Sequence, residues 1–304
     1  MRYSLNDFES YIKKNIIEKL IPEIDLKIKA LQEELNSTQN DNNYSSNIKK
    51  TNIGHQSNQS NQGNFKPTEF IKKEGIDVHL YQIRKLFNML TDKNYNKHFN
   101  TIIEQIDFVI KNNTDKEINI YCNFCYNILS SNFLYSNISA QLYKNMIEKY
   151  PKFQEILNNN ISYELIKEKI KNIIYVDPNI DYDKFCENNK LNEMLRAKFC
   201  FFTNLLKQDI ISYNIIGNII FDIYNIVYSY IEEKNKKNEI DEISESLYIL
   251  IINSYDIIKK KDLTIYDAIY SNIQKIITMK KENNSEISNK CLFKHMDMLD
   301  LINK

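Results

Sequence analysis

The sequence predicts an all-α protein, an α-solenoid of stacked antiparallel helix pairs. Three observations carry that expectation. Only four glycines and four prolines occur in 304 residues, too few for a sheet protein rich in tight turns. From residue 68 onward, apolar side chains recur at three-and-four spacing in one segment after another, with no credible strand between them. The segments are joined by short loops, which makes sequence neighbours antiparallel neighbours.

In chain order, residues 1–35 form a first helix or helical hairpin, with Tyr11, Ile12, Ile16, Leu20, Ile24, Ile28 and Leu31 on one stripe. Residues 36–66 are rich in Asn, Ser and Gln. They bury too little apolar surface to offset ordering entropy, so this stretch reads as a disordered linker. Residues 67–304 form the helical domain. Val78 to Leu90 and Tyr95 to Val109 give its first pair, with Thr91 as cap of the second helix. Ile118 to Leu129 and Ile138 to Tyr150 follow, the latter stopped by Pro151. Ile156 to Ile174 reads as one charged-faced helix.

Glu193 to Ser212 is the most apolar stretch. Met194, Ala197, Phe201 and Leu205 fall on one row and Leu195, Phe199, Phe202 and Leu206 on the next. Glu193, Arg196, Cys200, Thr203 and Lys207 form a narrow polar stripe. Such a helix must be packed on several sides. Asp209 breaks it, and Ser212 caps a helix running through Ile216, Ile223 and Tyr230. Ile243 to Ile258, Tyr266 to Met279 and Ser288 to Ile302 complete the chain, for about ten helices.

Charge and side-chain chemistry exclude several function classes. Forty basic and forty acidic residues cancel, so any nucleic-acid contact is a local patch. Lys259, Lys260 and Lys261, with Lys280 and Lys281, are the candidate RNA-binding lysines, although such runs also suit helix C-termini. The five cysteines are scattered with no secretory signal ahead of them, and a reducing, cytoplasmic setting is expected. Cys122 and Cys125 have knuckle spacing but no second pair, and i,i+3 thiols are common on buried helix faces. The apolar tract from Ile215 to Ile231 is interrupted by Asn218, Asp222 and Asn225, so no membrane span is expected. There is no glycine-rich phosphate loop. Cys291 and His295 lie one turn apart, but as exposed helix neighbours they would not make a preorganised site, so neither an enzyme nor a cofactor is expected.

Four segments carry a more specific likeness. Arg84 to Thr91, RKLFNMLT, resembles the opening helix and turn of the middle domain of eukaryotic translation initiation factor 4-gamma. Ser139 to Tyr143 is similar to that family's Tyr-Ala-x-Leu-Cys helix. Ala197 to Ser212 resembles its central Gly-Asn-Ile-x-Phe-Ile-Gly-Glu-Leu-Phe-Lys segment, with Phe199, Phe201, Phe202, Leu205, Leu206 and Lys207 matching in type. Ser288 to Leu301 resembles its closing helix through Ser288, Lys290, Phe293, Asp297, Asp300 and Leu301. Order and approximate spacing are kept. The family's glycines and its Asn and Glu in the central segment are replaced by Ala197, Thr203, Lys198 and Asn204, which marks a divergent sequence.

The resemblance implies about five HEAT-like antiparallel helix pairs and a scaffold, not a catalyst. It implies binding of a 4A-type DEAD-box helicase, with contacts to messenger RNA and a cap-binding protein. Related domains also serve as adaptors in messenger-RNA decay, poly(A)-protein binding and splicing. On this likeness Phe65 or Phe70, Phe293 and Asp297 are the expected helicase contacts. For Phe293 the competing reading is core packing, and for Asp297 a solvated helix face. Tyr11, Ile16 and Ile17 approximate the Tyr-x4-Leu-apolar pattern that lays a helix on cap-binding proteins. Tyr81, Leu86 and Phe87 match it more closely, but on a helix expected to bury Leu86 and Phe87.

Overall fold

The computed structural model describes residues 74–281 and 286–303, all within a compact unit spanning Glu69–Lys304. Segments 1–35 and 36–66 lie outside the described residues, as do Tyr11, Ile16, Ile17, Phe65 and Phe70. Among the described residues there are eleven helices and no strand. They are α1 Ile76–Asn88, α2 Tyr95–Asn112, α3 Asp115–Ser130, α4 Ser136–Lys149, α5 Pro151–Asn160, α6 Tyr163–Lys171, α7 Tyr182–Lys207, α8 Tyr213–Glu232, α9 Lys237–Lys261, α10 Leu263–Lys281 and α11 Asn289–Ile302. Helices α1, α3, α7, α9 and α11 form a row, each packed on the next. Helix α2 backs α1, α4 and α5 pack on α3, and α8 and α10 pack on α9.

Local chemistry sets the boundaries. Thr114 and Glu117 form a capping box at α3, and Pro151 starts α5 at a position where its missing N–H costs nothing. Ser212 accepts from the Ile215 N–H and Ser288 from the Cys291 N–H, so both serines cap as their positions predict. Asp209 ends α7 in the left-handed region, at φ 58°. Its N–H reaches the Leu206 carbonyl while the Ile210 N–H reaches Leu205, a Schellman closure built without glycine.

Four expectations are corrected. The segment from Ile156 to Ile174 is two helices, because Asn158, Asn159 and Asn160 are weak helix formers followed by a break at Ile161 and Ser162. Thr91 does not cap α2. Asn94 precedes it instead, and its side chain ties the turn by accepting from the Thr91 N–H at 2.7 Å and donating to the Met89 carbonyl at 2.7 Å. Helix α7 begins eleven residues before the apolar stretch, where the Asp181 carboxylate accepts from the Lys184 N–H.

The expected polar stripe on α7 is partly core. Of its members Cys200 and Thr203 are buried, as is the neighbouring Asn204, whereas Met194 of the expected apolar row is 45% exposed. The Thr203 hydroxyl donates to the Cys200 carbonyl at 2.8 Å. The Asn204 amide donates to Ser136 Oγ at 3.0 Å, tying α7 to the start of α4. Satisfied in this way, neither group carries the penalty of a buried unpaired dipole.

Residues 199–206 are buried without interruption. Around Phe201, the rings of Tyr126, Tyr143 and Phe153 meet edge-on at centroid distances of 5.6–6.2 Å, joining α3, α4, α5 and α7. The Tyr143 hydroxyl, buried with them, donates to the Phe153 carbonyl at 2.8 Å. Phe201→Ala is expected to lower stability by about 3–5 kcal/mol in urea unfolding. Met194→Ala, seven residues earlier on the same helix, should cost less than about 1 kcal/mol. Equal losses would contradict this placement of the core.

Candidate functional site

The largest departure from ordinary surface chemistry begins in the loop between α3 and α4. Ser131 Oγ donates back to the Ile128 carbonyl at 3.0 Å, and Asn132 Oδ1 accepts from the Tyr135 N–H at 3.3 Å. The loop is pinned by its polar residues and displays its apolar ones. Leu134 is 87% exposed and Phe133 about half exposed. Phe133 stands between two adjoining depressions of ≈ 470 and ≈ 440 Å³. One is bounded by Arg84, Phe124 and Leu134, the other by Met194, Arg196 and Ile249. Arg84 lies over the Phe124 ring at 4.9 Å. Aromatic rings and guanidinium groups beside exposed apolar side chains are the chemistry of protein-binding hot spots.

Ion pairs hold the row of helices beyond this groove. Arg196 on α7 reaches Glu242 on α9 at 2.9 Å. From α11, Lys290 reaches Glu242 at 3.3 Å and Lys294 reaches Glu245 at 3.0 Å. All are partly exposed, so they set the alignment of the helices more than their stability. Beside these lysines, α11 presents Phe293 at 60% exposure, with Met296, Asp297 and Asp300 also open to solvent. Phe293 is therefore not a core residue.

The candidate lysines do not form one patch. Lys259, Lys260 and Lys261 are exposed in the last turn of α9, with Lys259 over the Tyr266 ring at 4.9 Å. Lys280 and Lys281 end α10, and the intervening helix separates the two clusters by roughly 28 Å at 1.5 Å per residue. Tyr81 is exposed and Phe87 buried, so the closer match to the cap-binding pattern is built into the packing of α1.

Cys291 and His295 are also displaced from expectation, being fully buried instead of exposed. The His295 ring N–H at Nδ1 donates to the Cys291 carbonyl at 2.9 Å, which leaves Nε2 buried without a partner. Burial pushes the Cys291 thiol up to about 12 and brings His295 down to about 4, so neither carries charge at neutral pH. Burial likewise raises Cys122 to about 12 and Cys125 well above the usual thiol range. A buried thiol held in its protonated form is a poor nucleophile. Among the described residues no group of three His, Cys, Asp or Glu side chains converges as a metal site, and no helix is long and apolar enough to cross a membrane.

No protein-family model matches the chain, and no curated protein is significantly similar to it. The likeness to the initiation-factor middle domain rests on the four quoted segments, which fall on α1 and its exit, α4, α7 through the cap of α8, and the cap and body of α11.

His295 makes the fold acid-sensitive. Its value is about 4 when folded and roughly 6.5 in an unfolded chain, so between these pH values the unfolded state binds more protons and stability rises with pH. Acidification through this window should remove on the order of 3 kcal/mol in denaturant titrations, and His295→Leu should abolish that part of the slope. Parallel pH curves for the two proteins would contradict a buried neutral imidazole.

Proposed function

We propose that this chain is a translation-initiation scaffold, with HEAT-like helix pairs of the initiation factor 4-gamma middle-domain kind, that binds a 4A-type DEAD-box RNA helicase. The observation that carries the reading is Phe293. Within the family-like closing segment, this aromatic side chain stands 60% exposed on α11 beside exposed Asp297. An isolated aromatic on a rigid helix contributes large contact area at low entropic cost. The exposed stretch of α11 is held in place by Lys290 and Lys294 through α9, so a partner would meet a preformed surface.

The scaffold acts by differential affinity. Holding the helicase's two lobes closer to their productive arrangement shifts its population toward that state and speeds ATP turnover. Phe65 or Phe70 provides a second helicase contact, Tyr11, Ile16 and Ile17 receive a cap-binding protein, and the lysines of α9 and α10 contact messenger RNA in the cytoplasm.

Phe133 and Leu134 favour a second reading, because this most exposed apolar feature lies outside the four family-like segments. A helical adaptor acting elsewhere in messenger-RNA metabolism would use that groove as its principal contact.

Binding of the full chain to a 4A-type helicase from the same source, with RNA-stimulated ATPase read alongside, separates the two. The scaffold reading expects saturable binding, faster turnover, and a loss of about tenfold or more in affinity for Phe293→Ala with an unchanged melting temperature. Undiminished binding by Phe293→Ala, or no binding at tens of micromolar, would overturn it.

A further inference from the structure

Next to the groove, and bordering it through Ser131 and Met194, a cavity of ≈ 270 Å³ opens between α3, α6 and α7. Leu191, Met194 and Leu195 of α7 give it an apolar wall, and Asn172 adds a polar side chain to its lining. Lys169 from α6 and Lys198 from α7 both line it, close enough for the charge of one to act on the other. The other group beside Lys198 is the Tyr126 ring of α3, whose centroid is 5.2 Å from the Lys198 Nζ. No carboxylate forms an ion pair with either lysine among the described residues.

Two ammonium groups cannot hydrogen-bond to one another, and their repulsion is strong in a partly dehydrated site. Lys169 lies in the last turn of α6, where the helix dipole favours its charge. Lys198 sits in the middle of α7, and burial together with Lys169 brings its amine down to about 7. A doubly charged anion placed between the amines would remove the conflict and restore the Lys198 proton.

We propose that this cavity binds an organic phosphate monoester, its dianionic head held between Lys169 and Lys198 and its apolar body laid on Leu191, Met194 and Leu195. The charge of such a dianion matches the two ammoniums, as a single carboxylate does not. The volume lies just below the usual range for ligand cavities, which excludes a dinucleotide. No residue of α11 lines the site, so it is separate from the proposed Phe293 contact, although it shares Ser131 and Met194 with the neighbouring groove. Binding takes up a proton above pH 7, so affinity falls as pH rises beyond that point.

Calorimetry of the full chain with phenyl phosphate tests the site, with inorganic phosphate and benzoate as comparisons. Saturable binding of phenyl phosphate is expected, with each comparison weaker by about tenfold. Lys198→Met, which keeps the length and apolar stem, is expected to lower affinity about tenfold or more, and Lys207→Ala, an exposed lysine on the same helix, to leave it unchanged. In the wild type, the Lys198 ammonium followed by NMR should titrate near neutrality and move upward when phenyl phosphate is added. No saturable binding, equal affinity for benzoate, or a Lys198 titration unmoved by the ligand would each overturn the proposal.

Discussion

The fold depends on one requirement, that the middle of α7 be enclosed on every side. Residues 199–206 place two aromatic and aliphatic rows on the helix with Cys200, Thr203 and Asn204 beside them, and all eight residues are buried. A helix of that kind has no stable existence alone, because its burial needs partners in several directions. Helix α4 covers one flank with Tyr143, α9 another, and α3 and α8 fill the remainder. The row from α1 to α11 passes through this helix, so the faces that remain open for partners lie on the surface of the row.

That requirement was readable from residue types alone. Phe199, Phe201, Phe202, Leu205 and Leu206 leave no polar side wide enough to face water, and Asp209 with Ser212 marks the reversal into α8. Less readable was the fate of Thr203 and Asn204. Their types suggest solvent, and only the tertiary arrangement that brings Ser136 against Asn204 makes their burial tolerable. The beginning of α7 was hidden for the opposite reason. Residues 182–190 are mostly exposed and carry little apolar period, so that turn is defined by the Asp181 cap and the Asn188 contact to the Ile174 carbonyl.

The candidate surfaces divide along the same line. Phe293 stands in a segment with a family likeness, but whether it faces the core or solvent depends on which side of α11 meets α9 and α10, a question of packing that spacing does not answer. Phe133 and Leu134 belong to no helical period, but an apolar triplet ending in Tyr135 where a polar turn belongs is itself a signal. Lys169 and Lys198 line one cavity across 29 positions of sequence, and no local pattern announces that meeting. The Cys291 and His295 pair shows the reverse: close in sequence, suggestive in type, and withdrawn from any reactant by burial.

If α7 is the enclosed centre of the molecule, its backbone opens only when the whole domain unfolds. Native-state hydrogen exchange of the full chain, read residue by residue across mild denaturant, tests this most directly. The amides of residues 199–206 should exchange last, with the free energy and denaturant dependence of global unfolding, while α1, α6 and α11 open at lower cost. Exchange through residues 199–206 by a cheaper local opening, with α1 or α11 outlasting it, would contradict the account.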